Sequence, residues 1–217
     1  SARLHDGTVD FFNLDGDKIE KKCTEIKWDA EAAEKGGYEH FMMKEIHEQP
    51  KALSDTLSSS LDSKGDIDLS EVGLTEDEFR AIDYIYIVAC GSAYHVGVDA
   101  QYVIEDMTEI PVRIELASEF RYRKQLLSKK GLVIIISQSG ETADSLAALR
   151  VAKEKGIKTL AIVNVVGSSI AREADNVFYT KAGPEISVAT TKAYSCQLMA
   201  CYLLAIQMGK SIGTIDE

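Results

Sequence analysis

From Asp83 onward, short apolar runs alternate with longer stretches in which apolar residues recur at helical spacing. The short runs are rich in β-branched residues and lack regular polar alternation, which is typical of strands buried on both faces. The longer stretches begin at hydroxyl-bearing residues, as helices commonly do. We therefore predict strands at residues 84–89, 112–116, 132–136, 159–163 and 176–179, with helices at 92–107, 142–155 and 191–208.

Strands that alternate with helices are joined by right-handed crossovers, which produce a parallel sheet between two layers of helices. The predicted fold class is therefore α/β, a three-layer α/β/α sandwich around a five-stranded parallel sheet. In such a sheet, ligands bind at the carboxyl ends of the strands. The loops that follow the strands are thus the candidate positions for a site.

The residues before Asp83 follow a different pattern. Residues 9–12 and 19–26 predict two strands joined by a hairpin turn at Asp15-Gly16, where glycine adopts a positive φ at little cost. An isolated hairpin is only marginally stable in water. We therefore expect this hairpin to be the edge of a larger sheet that the chain does not contain.

Three further stretches complete an N-terminal β-hairpin and helical arm. Residues 29–35 predict a short acidic helix that two glycines end. Apolar residues from Met42 to Leu61 predict one helix face, which Pro50 kinks or restarts. Residues 63–75 are polar and contain two glycines, so we predict a linker there.

Composition narrows the classes of function. The formal net charge is −11, which argues against a nucleic-acid surface, because such a surface needs clustered Lys and Arg. No apolar run approaches the ~20 residues that cross a bilayer, and the first residues lack the apolar core of a signal peptide. We expect a cytoplasmic protein whose partners include neither nucleic acid nor membrane.

The reactive side chains show no metal or redox spacing. The four cysteines form no CxxC pair, which predicts reduced structural thiols, and Cys196 and Cys201 should pack as small hydrophobes on an apolar helix. The four histidines form no pair at metal-ligand spacing, so no metal is predicted. The sequence also lacks the glycine-rich motifs of dinucleotide and nucleoside-triphosphate sites, and no cofactor is predicted.

The turn after the third predicted strand is the strongest candidate site. It reads SQSGET from Ser137 to Thr142 and opens a helix. Three hydroxyls, a glycine that permits close approach, and the free N–H groups and dipole of a helix N-terminus together suit a phosphate. A helix cap alone needs one hydroxyl, so this composition favours a phosphate site.

Two other loops lie at the same predicted edge of the sheet. After the first strand, residues 90–93 fit a ligand contact and a plain turn capped by Ser92 equally well. Before the last helix, residues 183–192 fit a ligand contact or a loop in which Thr190 or Thr191 caps the helix. The residues alone leave both alternatives open.

Four motifs together resemble the glutamine–fructose-6-phosphate aminotransferase (isomerizing) family. The turn SQSGETAD (137–144) by itself indicates only a sugar isomerase (SIS) module, whereas ASEFRYR (117–123) narrows the resemblance to this family. CGSAYH (90–95) and VATTKAY (188–194) match the same module. The arm agrees independently, since residues 29–50 resemble the junction between the glutaminase and isomerase halves of these enzymes.

The resemblance implies a SIS fold and a set of ligand contacts, position by position. It implies that the phosphate is held by Ser137, Gln138, Ser139 and Thr142, that Ser92 lies in the same pocket, and that Val188 and Thr190 contact the sugar. Gly91, Gly140 and Ala189 are the implied supporting positions of these loops. Ala93 departs from the family pattern, which commonly has a hydroxyl residue there, so one polar contact is missing.

The resemblance also implies a division of the chain. Residues 1–37 match the C-terminal remnant of the glutaminase domain, residues 38–75 a helical linker, and residues 76–217 the first SIS domain. We expect the chain to begin in mid-protein, with the glutaminase nucleophile before it. The second SIS module, which carries the family's catalytic residues, is expected after it. No catalytic residue is therefore assigned within this chain.

The implied ligand is a sugar phosphate, namely fructose 6-phosphate, glucosamine 6-phosphate or glucose 6-phosphate, which the sequence does not distinguish. We expect weak binding without turnover, and association as a homodimer.

Three alternative functions compete with this interpretation. A phosphosugar-responsive regulator would need a basic helix-turn-helix arm, whereas this arm is acidic and partly β. A single-module isomerase should carry its own base, and a module that serves mainly as a dimer interface is compatible with binding.

Overall fold

The computed structural model describes residues 1–21 and 34–215 of the chain. Along the chain, its strands and helices are β1 (Ala2–His5), β2 (Thr8–Phe12), β3 (Lys18–Ile19), α1 (Phe41–His47), α2 (Gln49–Ser58), α3 (Glu76–Ala81), β4 (Tyr84–Ala89), α4 (Ser92–Thr108), β5 (Val112–Leu116), α5 (Ala117–Phe120), β6 (Gly131–Ser137), α6 (Ala143–Glu154), β7 (Lys158–Val163), α7 (Ser169–Glu173), β8 (Asn176–Tyr179) and α8 (Lys192–Ile212).

Strands β4 to β8 form one parallel sheet in the order β5-β4-β6-β7-β8. The predicted five-stranded parallel sheet is thus confirmed, and each of its five predicted strands is present to within one residue at either end. The central strand β6 is buried along all seven residues, because apolar helices cover both of its faces. The short helices α3, α5 and α7 were not predicted, and α8 runs four residues beyond its predicted end at 208.

Successive residues of a strand point to opposite faces, and the core divides accordingly. On one face, Ile134 and its neighbours pack with α3, α4 and α8, whereas on the other face Val133 and Ile135 pack with α5, α6 and α7. The three-layer sandwich is therefore confirmed. Cys196 and Cys201 are buried within α8, as predicted, and burial raises the pKa of the Cys201 thiol to about 12.

The arm begins with an antiparallel sheet of β1, β2 and β3. The predicted hairpin between β2 and β3 is present, and Gly16 has a φ of +88° in its turn. Strand β1 was not predicted, and β3 is shorter than predicted, since residues 20 and 21 are not in a strand. The rest of that predicted strand, and residues 29–33 of the predicted acidic helix, lie outside the described residues.

Residues 41–75, which precede the parallel sheet, pack against the α/β domain. Pro50 lies in the first turn of α2, so it restarts the helix, as one of the two predicted outcomes. Ala52 of α2 packs against Ala193 of α8 in a small core cluster of its own. In residues 63–75, which we predicted as a polar linker, Leu69 and Val72 are buried in the main core. Residues 41–75 are therefore bound along the domain and do not form a free connection.

Among residues 1–21 and 34–215, no helix is long and apolar enough to cross a membrane.

The central strand should dominate stability. Leu132 on β6 is completely buried, whereas Leu126 in the preceding loop is 77% exposed. We expect Leu132→Ala to lower the free energy of unfolding by about 2–5 kcal/mol, because the substitution removes buried apolar contacts and leaves a cavity. Urea denaturation followed by circular dichroism measures this change.

Leu126→Ala is the matched control, and it should change stability by no more than about 0.5 kcal/mol. Equal losses in the two variants would contradict the assignment of β6 to the centre of the core.

Candidate functional site

A pocket of about 240 Å³ opens where β4 and β6 end, and the loop before α8 forms its other wall. This is the edge at which the carboxyl ends of parallel strands converge, as expected for a ligand site. The pocket brings together side chains from loops that are far apart in the sequence. All of the predicted substrate-binding residues line it: Ser92, Ser137, Gln138, Ser139, Thr142, Val188 and Thr190.

The turn between β6 and α6 is held by its own hydroxyls. The Oγ of Ser137 accepts a hydrogen bond from Gly140 N at 3.1 Å and lies 3.3 Å from the Oγ1 of Thr142. The Oγ of Ser139 accepts from Glu141 N at 3.2 Å. No acceptor for the Ser139 hydroxyl proton is found in the described part of the chain. A half-buried O–H donor on the pocket wall is therefore left for a ligand.

Gly140 allows this turn to close against its neighbour. Its φ is +65°, in the region that favours glycine, and a Cβ there would lie 2.0 Å from Ser168 Oγ. Any larger residue would therefore be strained and would collide with Ser168. Gly140 does not line the pocket itself, and neither do Gly91 or Ala189, so the three predicted supporting positions lie behind or beside the wall.

The N-terminus of α6 adds unpaired donors. Thr142 occupies the N-cap position, but its side chain accepts no hydrogen bond from the helix. The first N–H groups of an α-helix have no partner within the helix, and the helix dipole makes this end positive. The simple alternative, in which Thr142 only caps α6, is thus not what the geometry shows. Ser145, in the first turn, also lines the pocket.

The remaining walls come from the two other candidate loops. Ser92 is exposed at the start of α4, and Ala93 beside it lines the pocket with a methyl group in place of a hydroxyl. In the loop before α8, Val188 is fully exposed at the pocket rim, whereas Thr190 is half-buried. The loops that the residues alone left undecided therefore both reach the pocket.

The pocket is polar but contains little free charge. Among the described residues that line it, none is Lys or Arg, and the one carboxylate is Glu185. The Glu185 carboxylate accepts from Thr191 N at 2.8 Å, from Ala193 N at 3.2 Å and from the Thr190 hydroxyl at 2.8 Å. Its charge therefore lies against the positive N-terminal end of α8, where it is stabilised.

The carboxylate of Glu141 is directed to another part of the fold. Hydrogen bonds from Ser169 lower the pKa of the Glu141 carboxyl, and its Oε1 accepts from Ser169 N at 2.7 Å. This residue ties the turn to α7 and does not line the pocket. An anion in the pocket would therefore meet hydroxyls, amide groups and the positive end of α6.

No general base is evident among the described lining residues. Glu185 is engaged by three donors, and proton transfer needs a carboxylate within reach of the substrate and free to accept. His95, on α4, is exposed and packs edge-on against Tyr94 without lining the pocket. The arrangement is suited to holding a ligand more than to transferring its protons.

Sequence reasoning missed several residues of this site. Ser145, Glu185, Ser187 and Gln197 line the pocket, although no role was assigned to them. Ser145 could have been inferred from its place three residues after Thr142, and Glu185 and Ser187 lie in a loop that was already a candidate. Behind them lies Glu45 of α1, whose carboxylate accepts from Ile186 N at 2.6 Å and for which the sequence offers no comparable signal.

Comparisons with known proteins agree with this architecture. A family model described as the SIS domain matches residues 78–207, which lie inside the segment predicted to be a SIS domain. The C-terminal domain of glucosamine-fructose-6-phosphate aminotransferase from Francisella tularensis superimposes with a TM-score of 0.80 at 42% identity. That match covers 84% of this chain and 52% of the Francisella chain.

Two bacterial relatives are more similar still in sequence. The glutamine–fructose-6-phosphate aminotransferase [isomerizing] of Clostridium acetobutylicum is 54% identical over 209 residues, covering 96% of this chain and 34% of that protein. The protein of the same name from Caldanaerobacter subterraneus subsp. tengcongensis is 55% identical over 216 residues, covering 100% of this chain and 36% of that protein.

The chain thus spans about a third of the length of these relatives. The resemblance drawn from the four motifs is confirmed by their similarity along nearly the whole chain. With a parallel five-stranded sheet between two helix layers and a family match over residues 78–207, the chain belongs to the SIS domain family.

Proposed function

We propose that this chain is the sugar-phosphate-binding part of an enzyme that converts fructose 6-phosphate and glutamine to glucosamine 6-phosphate and glutamate. The observation that carries the proposal is the turn between β6 and α6. There the Ser139 hydroxyl, without an acceptor in the described chain, lies beside the uncapped N-terminus of a twelve-residue helix. Such a helix end binds phosphate well.

The relatives make the proposal specific. Those from Clostridium and Caldanaerobacter carry the name of this aminotransferase, and their similarity extends over the arm as well as the SIS domain. On this basis, residues 1–37 are proposed as the remnant of a glutaminase domain, 38–75 as a helical linker and 76–217 as the first SIS domain. The homodimer and the cytoplasmic location stay predictions.

The ligand is proposed to be oriented by the two sides of the pocket. The phosphate is held by Ser137, Gln138, Ser139 and Thr142, where the donors and the positive helix end converge. The sugar then extends toward the wall formed by Ser92, Val188 and Thr190. Fructose 6-phosphate, glucosamine 6-phosphate and glucose 6-phosphate all satisfy this arrangement. The regulator and single-module isomerase alternatives are not favoured, because no observation of the site supports either.

Loss of one hydroxyl should weaken binding measurably. A hydrogen bond to a charged group is worth about 1.5–3 kcal/mol, so Ser139→Ala should lower the affinity for glucosamine 6-phosphate by about ten- to a hundredfold. Isothermal titration calorimetry with glucosamine 6-phosphate and fructose 6-phosphate measures this, and fructose without phosphate should give no binding signal.

The matched control is Ser54→Ala, since Ser54 is an exposed serine on α2 that does not line the pocket. We expect its affinities to equal those of the unaltered chain. If the unaltered, folded chain binds no phosphosugar, or if both serine variants bind as it does, the proposed phosphate site is wrong.

The isolated chain should not turn over its ligand. Isomerisation needs a positioned base, and the carboxylate on the described pocket wall, Glu185, is already occupied by three donors. We expect no glucosamine 6-phosphate to form from fructose 6-phosphate with either glutamine or ammonia. A continuous assay for the product tests this, and sustained formation above the uncatalysed rate would refute it.

A further inference from the structure

The loop at residues 183–191 has no regular secondary structure, yet one carboxylate from a distant helix holds its backbone. Glu45 of α1 accepts hydrogen bonds from Ile186 N at 2.6 Å and from Ser187 N at 3.2 Å, and the Ser187 hydroxyl also donates to it. The Ser187 Oγ in turn lies 3.0 Å from the carbonyl oxygen of Ala189. Glu45 thus fixes Ile186 and Ser187, whereas the start of the loop is held by Asn164, whose Nδ2 donates to the carbonyl oxygen of Gly183 at 2.7 Å.

The second half of the loop is held separately. Glu185 accepts from Thr190, Thr191 and Ala193, and so ties the end of the loop to the first turn of α8. Val188 lies between the two anchored halves and is fully exposed at the pocket rim. The position of the rim therefore depends on both carboxylates, only one of which belongs to the loop.

Glu45 is not a surface residue that reaches the loop by chance. It is 2% exposed, and burial of a carboxylate is costly unless its oxygens are hydrogen-bonded. Its carboxylate meets this requirement with donors from the loop, namely the two backbone amides and the Ser187 hydroxyl. Close by, the Lys192 Nζ at the start of α8 donates to Glu48 at the end of α1 at 2.6 Å, which fixes the helix that carries Glu45.

We propose that Glu45 is a positioning residue for the sugar end of the pocket, acting through the backbone of Ile186 and Ser187. The turn between β6 and α6 forms another part of the pocket wall and is held by its own internal hydrogen bonds, none of which involves this carboxylate. Through Glu45, helix α1, which precedes the parallel sheet, contributes to the binding site. The inference rests on the proposed function, since it assumes that a sugar phosphate occupies the pocket.

The test compares Glu45→Ala with Glu45→Gln in the 217-residue chain. Glu45→Ala should lower the affinity for glucosamine 6-phosphate about tenfold, measured by calorimetry, because the loop amides lose their acceptor. The affinity for inorganic phosphate, measured by ³¹P NMR, should stay within a factor of about two. Glu45→Gln retains one acceptor oxygen and should fall between the unaltered chain and the alanine variant.

A second readout needs no ligand. Amide hydrogen exchange of Ile186 and Ser187 should be at least about tenfold faster in Glu45→Ala, whereas Thr191, which Glu185 holds, should keep its rate. The matched control is Glu39→Ala, since the Glu39 side chain is 88% exposed and lies just before the same helix. It should change neither the affinities nor the exchange rates.

The possible results separate this inference from the proposed function. If the unaltered chain binds glucosamine 6-phosphate and Glu45→Ala binds it equally well, the assignment of Glu45 is wrong and the proposed function stands. Equal losses of phosphosugar and phosphate affinity would likewise overturn the positioning role, because they indicate general damage. An unaltered chain that binds glucosamine 6-phosphate no more tightly than phosphate would overturn both.

Discussion

The complete burial of β6 is the constraint on which the rest of the structure depends. All seven of its residues are buried, since α4 and α8 cover one face of the strand and α6 covers the other. The strand ends at Ser137, which is still buried but lines the pocket, and the sequence changes there from apolar to polar residues. The turn that follows is rich in hydroxyl groups and leads into the N-terminus of α6. The pocket forms around this turn and this helix end.

The same constraint explains how an acidic protein can hold an anion. The chain has a formal net charge of −11, and the described pocket wall carries neither Lys nor Arg. Local dipoles and hydroxyl donors act over a few ångströms, whereas the effect of distant surface charges is screened by salt within about 10 Å. The carboxylate on the pocket wall, Glu185, faces the positive N-terminus of α8 and accepts hydrogen bonds from the amides of Thr191 and Ala193.

How far the sequence predicts this molecule depends on how local each feature is. The positions of the buried strands follow from apolar, β-branched runs such as the one in β6. The convergence of three loops follows from the rule that ligands bind at the carboxyl ends of parallel strands. The contact between Glu45 and Ile186 joins residues 141 positions apart, and nothing in the local pattern around Glu45 distinguishes it from a solvated helix face. Strand β1 was missed because it is only four residues long and contains none of the β-branched or aromatic residues that are typical of strands. The burial of Leu69 and Val72 was missed because their neighbours are polar.

A sugar phosphate that binds as proposed has its phosphate at the turn between β6 and α6. Backbone amide chemical shifts of the ¹⁵N-labelled chain, recorded while glucosamine 6-phosphate is added, test this placement most directly. We predict that the largest shifts fall on residues 139–145, followed by the loop before α8. Shifts that are instead concentrated at another cavity, which lies beside β8 and is lined by residues that include Ser59, Val72 and Lys181, would contradict it.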